Sequence, residues 1–223
     1  MSAKFIIRIT VFLLLLLSAC ASASEKVISG DPRTYLLQTN DLPKTATYYI
    51  PENRAFLIPN DTAIGAFGQE KGQALIDETA RVISARVHYQ RSEQDTSGPA
   101  YYVATVTLHQ NAKGAQAAVS RYNIASLYPE GGWTVVKEPP KVGDLTVVET
   151  SQLANQSGQK VYNYRVEFAY RNVSVDVLVA GLEKDVSQET VVRAAQAVLA
   201  RLKTAPLSTP PVPTPLPVDY EPR

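Results

Sequence analysis

Two stretches of this 223-residue chain constrain the fold more than any others. They are 161–170 and 173–180, separated only by Arg171-Asn172. Tyr162, Tyr164, Val166, Phe168 and Tyr170 recur at every second position of the first, and Val173, Val175, Val177 and Val179 do so in the second. A period of two is the signature of a strand with one buried face, and a two-residue connection fits a tight antiparallel hairpin. With Tyr170 opposite Val173, all nine apolar side chains fall on one face. An aromatic and β-branched surface of that size has to be covered by another layer.

The same alternation occurs upstream. Ile83, Ala85, Val87 and Tyr89 alternate with Ser84, Arg86, His88 and Gln90, and Tyr102, Ala104, Val106 and Leu108 form the inner face of a second strand over 101–109. Asn111 is placed to cap a helix with the stripe Ala115, Ala118, Val119, Tyr122 and Ala125. After Gly131-Gly132, residues 133–136 and 145–150 read as further strands. A last helix starts near Ser187 and ends near Lys203, burying Val191, Ala194, Ala195, Val198 and Leu202. Pro32 to Leu37 suggests a single helical turn, 48–51 a short strand, and the glycine-interrupted 60–78 one or two short helices rather than a long one. The expected architecture is α+β: a largely antiparallel sheet with two main helices packed on one face. The order strand, strand, helix occurs twice, which raises an internal repeat.

The amino terminus has a different character. Lys4 and Arg8 precede an apolar run, Ile9 to Leu17, followed by Ser18, Ala19 and Cys20. This is the layout of a secretory leader, about half the length that spans a bilayer. Leu17-Ser18-Ala19-Cys20 resembles the lipobox of bacterial lipoproteins, which implies diacylation of Cys20 and cleavage before it. The alternative is ordinary cleavage near Ala19 or Ala23. Cys20 is the only cysteine in the sequence, so no disulfide, zinc site or catalytic thiol is available. Leu36-Leu37 followed by Leu42-Pro43, together with the valine-rich strand and Ala/Arg-rich helix at the end, resembles uncharacterised lipoproteins and extracytoplasmic sensor-type domains of bacteria. The implied organisation is a signal peptide at 1–19, a tether at 20–31, one domain at 32–204 and a proline-rich disordered tail at 205–223. Localisation follows as the cell membrane or outer membrane, lipid-anchored and facing outside the cytoplasm.

Charge excludes some partners. There are 22 basic and 21 acidic residues; without Lys4 and Arg8 the balance is 20 against 21. No basic stripe is present, which argues against nucleic acid. The only histidines, His88 and His109, fall on the polar strand faces. In a hairpin closed by 91–99 they lie about 20 Å apart, too far to share a metal ion, and both are expected to be solvated. The hydrolase signatures Gly-x-Ser-x-Gly, Ser-x-x-Lys and His-Glu-x-x-His are absent. Asn60, Asn155 and Asn172 match the N-glycosylation acceptor pattern, accidental in a bacterial lipoprotein. Glu167 and Asp176 come nearly opposite each other, with Arg165 diagonal to them. They form either a solvated charged face or an acid/base pair. Trp133, beside two glycines, is either a ligand-stacking surface or a core residue.

The expectation is therefore a non-enzymatic, lipid-anchored extracytoplasmic module that needs no cofactor or metal. Its partners are the membrane, through the N-terminal lipid, and a protein or small ligand, for which Trp133 is the candidate contact. The competing expectation is an envelope hydrolase that uses carboxylates.

Overall fold

The computed structural model describes residues 25–52, 54–154, 157–210 and 212. Their elements run β1 (Val27–Ile28), two 3-10 turns (Pro32–Tyr35 and Thr39–Asp41), β2 (Tyr48–Tyr49), β3 (Phe56–Ile58), α1 (Asn60–Phe67) and α2 (Gln69–Thr79). There follow β4 (Arg81–Arg91), β5 (Tyr101–His109), α3 (Ala112–Arg121), α4 (Ile124–Leu127) and β6 (Thr134–Val135). The chain ends with β7 (Leu145–Ala154), β8 (Lys160–Tyr170), β9 (Val173–Leu182), α5 (Gln188–Lys203) and β10 (Leu207–Ser208). Eight strands form one sheet in the order β2-β4-β5-β9-β8-β7-β6, with β3 also pairing with β4. Every pairing is antiparallel. The α+β class is as the alternation of strands and helices led one to expect.

Register follows side-chain period. Tyr170 pairs with Val173, Phe168 with Val175, Val166 with Val177 and Tyr164 with Val179, so the apolar residues of the hairpin share a face as the sequence implies. The inner residues of β4 and β5 join that face, and Val166, Phe168, Ala104, Val106, Val173 and Val177 are wholly buried. α5 closes over it with Val191, Ala195, Val198 and Leu202, helped by Leu36, Leu37 and Leu42 from the amino-terminal turns. Each such aliphatic side chain contributes about 1.5–3 kcal/mol when fully buried. The caps also form where expected: Asn111 Oδ1 accepts from Gly114 N at 2.8 Å, and Ser187 Oγ accepts from Thr190 N at 3.3 Å.

The two main helices do not share a face. α3 packs through Ala115 and Val119 on Ala169, with Leu145 and Val147 beside it. These strand residues alternate with Phe168 and Val148 and so belong to the opposite surface. Because β5 and β9 are antiparallel neighbours, a two-fold axis relating the halves would stand perpendicular to the sheet and leave both helices on one side. The division of α3 and α5 between the faces therefore removes the internal repeat.

The domain boundaries also move outward. β1 pairs with β10, Val27 with Ser208 and Ile28 with Leu207, and Val27, Ile28 and Val212 are buried. The end of the expected tether and the start of the expected disordered tail are thus folded parts of the domain. Asn172 fixes the amino-terminal strand: its Oδ1 accepts from Ile28 N at 2.6 Å, and its Nδ2 donates to Ile28 O and His109 O at 3.0 and 2.8 Å. A fully bonded, buried asparagine explains the Asn172-Val173-Ser174 match without any sugar. Residues 1–24, Cys20 among them, and 213–223 lie outside the described residues.

Candidate ligand-binding cavity

The second face of the sheet is polar because the strands alternate. Register aligns Arg86, Thr105, Asp176 and Glu167 in one row across β4, β5, β9 and β8. The next row is Ser84, Thr107 and Ser174, ending in Ala169. This face is not the open, solvated surface that the charges alone suggested. α1, α2 and α3 roof it and leave a cavity of about 510 Å³ between roof and sheet. Phe56, Ile58, Ala63, Ala66, Phe67 and Leu75 form the apolar side, and Arg86, Arg165, Glu167, Asp176 and Ser174 the polar floor. A second cavity of about 480 Å³ shares Ala66, Phe67, Leu75 and Tyr122 with the first and runs on to Leu127 and Tyr128.

Two close approaches set the roof. A Cβ on Gly72 of α2 would come within 2.5 Å of Ile64 Cα in α1, and one on Gly114 of α3 within 2.0 Å of Thr79 O at the end of α2. Glycine is required at both places. Gly68, at φ +81°, ends α1 and starts α2.

The charged floor centres on Arg165. Its Nε donates to Asp176 Oδ1 at 2.7 Å and its Nη2 to Asp176 Oδ2 at 2.9 Å, a bidentate pair. Nε also lies 3.1 Å from Glu167 Oε1. However, Nε carries a single hydrogen, already directed at Asp176, and Glu167 Oε1 is left buried with no hydrogen bond. Glu149, fully buried on β7, accepts from Ala125 N at 2.7 Å through Oε1, while its Oε2 is likewise without a partner. Burial pushes the Glu167 carboxyl well above the usual carboxylate range, with Asp176 and Glu149 adding to the rise and Arg165 opposing it. Burial also raises Glu149, against the N–H of Ala125. For Arg165, burial is outweighed by the three carboxylates, which hold its proton more firmly than usual.

The other end of the floor is structural. Arg81 donates to Asn60 Oδ1, to Ile58 O at 2.7 Å and to Ser84 Oγ at 2.9 Å, and burial pushes its pKa down to about 10. His109 is buried, contrary to the solvated position expected for it. Its Nδ1 lies 2.8 Å from Thr79 O and its Nε2 2.8 Å from Ser174 Oγ. A carbonyl only accepts, so Nδ1 carries the proton and Ser174 donates to Nε2. Burial pushes the His109 pKa down to about 4; Thr79 O opposes this and Arg81 adds to it. His88 pairs with Val103 and lies 3.8 Å from Glu52 at the half-exposed edge.

Among the sequence candidates, Glu167 and Asp176 are brought together. Trp133 is not part of their site. It is half-buried against Gly131 and lines neither cavity. The sequence reading missed Thr105, Thr107, Ser174 and the roof residues Phe67 and Leu75. For the strand residues the signal was present, since they share the polar phase of Glu167 and Asp176. Among the described residues, no group of three or more His, Cys, Asp or Glu could hold a metal ion, and no helix is long and apolar enough to cross a membrane.

No family model matches the chain, and no curated protein matches it. Among solved structures the chain is similar to the crystal structure of the extracellular domain of PknH from Mycobacterium tuberculosis, at 11% identity and a TM-score of 0.56, over 82% of this chain and 100% of that one. At this identity the likeness is one of fold.

Proposed function

We propose that the chain is a lipid-anchored extracytoplasmic binding module without enzymatic activity, and that it holds a small ligand between the polar face of the sheet and the α1–α3 roof. The observation that carries this reading is the roofed, half-open cavity with Glu167 on its floor, whose Oε1 is buried without a hydrogen bond. Arg165 Nε lies 3.1 Å from that oxygen but donates to Asp176 instead; a buried acceptor left without a hydrogen bond costs about 1–3 kcal/mol, a cost that a ligand donor would offset. Apolar walls with a few convergent polar groups are the usual make-up of a small-molecule site. That a domain of this fold is extracellular in PknH supports the location, as does the leader ending at Cys20.

The test is extraction. The full chain, expressed in a bacterial host and purified from its membrane fraction, is denatured, and the released small molecules are identified by mass spectrometry. Leu75→Trp, which fills the cavity, should release at least tenfold less of the same compound; equal amounts from both proteins would overturn the reading. Anchorage is tested separately by Cys20→Ala, which should move the protein from the detergent phase to the aqueous phase.

Glu167, an acid with a raised pKa beside Asp176 in one cavity, is the observation that favours a carboxylate hydrolase as second reading. Asp176 is already held by both arms of Arg165, which leaves it poorly placed to act as base or nucleophile. For that reason binding is preferred over hydrolysis.

A further inference from the structure

We infer that the ligand is a cationic amphiphile, with a primary ammonium head at Glu167 and an apolar chain that runs under α1 and α2 toward Tyr128. This rests on the proposed binding role and adds the chemistry of the ligand.

The head follows from an imbalance of charge and of hydrogen bonds. Glu167 and Asp176 on the cavity floor, with Glu149 behind them, surround the single guanidinium of Arg165, and Glu167 Oε1 accepts no hydrogen bond although Arg165 Nε lies 3.1 Å from it. A group that brings hydrogens and a positive charge together would give Oε1 a donor and favour the ionised form of Glu167, which burial alone disfavours. A carboxylate or phosphate head would bring acceptors to a place already short of donors. The other cation of that row, Arg86, is separated from Glu167 by three strand spacings, roughly 14 Å. An ammonium at Glu167 is therefore clear of it.

The tail follows from the shape of the space. The two cavities meet at Ala66, Phe67, Leu75 and Tyr122. Beyond that junction the second is lined by Ala74, Leu127 and Tyr128, with Lys71 as its one cationic residue. The path thus begins at a charged floor and ends at Ala74, Leu127 and Tyr128, where Ser126 and Lys71 are the polar side chains. That sequence of environments matches a molecule with one polar end.

The probes are octylamine, 1-octanol and octanoate, titrated at pH 7 into the full-length protein and followed by calorimetry. Octylamine is expected to bind at least tenfold more tightly than octanoate, with 1-octanol between them. Glu167→Gln should weaken octylamine about tenfold and leave 1-octanol within twofold, with its melting temperature showing that the variant is folded. Octanoate binding as tightly as octylamine would overturn the assignment of the head while leaving the cavity as a binding site. A Glu167→Gln variant that weakens octylamine and 1-octanol equally would overturn it too. Failure of all three probes to bind would overturn the cavity reading together with the inference.

Discussion

The two faces of the one sheet are made from the same strands, yet they are built to opposite specifications. On β8, Val166 and Phe168 point into a sealed apolar layer under α5, while Arg165 and Glu167 point into a roofed, partly empty space. On β9, Val175 and Val177 contrast in the same way with Ser174 and Asp176. The sealed face stabilises the domain by area. The roofed face holds two carboxylates that each have one oxygen without a hydrogen bond, a buried histidine and a bidentate ion pair, none of which is an efficient way to stabilise a fold. A strand that alternates strictly can separate the two tasks at neighbouring residues.

The sharpest way to break this comparison is to mutate those neighbours. Phe168→Ala should cost about 3–5 kcal/mol in urea unfolding. A loss below about 1 kcal/mol would mean that the α5 face is not the main core. Next in size is the acid limb contributed by His109. Its pKa is about 4 in the fold against 6.5 free, so the unfolded chain takes up a proton that the fold refuses. Stability should therefore fall by roughly 3 kcal/mol as the pH drops from about 6.5 to 4, and His109→Gln should flatten that slope.

Glu167 has the opposite sign. Its folded pKa is raised, so its contribution is present below the unfolded value and is lost as the pH rises through the folded one. Arg165, Asp176 and Glu149 are the charged groups that face it. Glu167→Gln should gain stability relative to the parent between pH 5 and pH 8, as read from urea midpoints at the two values. Trp133→Ala should have the smallest effect, within about 0.5 kcal/mol, with unchanged octylamine affinity. A tenfold loss of affinity there would return Trp133 to the site.

The hairpin register was legible because a slip of one residue would move the four or five apolar side chains of one strand to the wrong face. Caps at Asn111 and Ser187 were legible for an equally local reason. What covered each face was not: α3 and α5 carry similar stripes, and neither stripe records which side of the sheet it will meet. His109 illustrates the limit. Its strand phase is polar, and it is buried only because Thr79, thirty residues earlier, arrives above it at the end of α2. Val27 and Ile28 were lost among serines and alanines, since two apolar residues are too few to make a pattern. The cavity depends on where α1 and α2 land, and nothing in their own residues states that. Trp133 drew attention through its side chain alone, while the site formed elsewhere.

The pairing of β1 with β10 has a topological consequence. Val27 and Ser208 are Cα partners, about 5 Å apart as in any antiparallel pair, so the path of the chain through the domain nearly closes on itself. A short linker joining the two strands would complete a ring, and the ring could be reopened in the turn between β4 and β5 without cutting a strand or a helix. The order of elements along the chain would change while every sheet pairing stayed as it is.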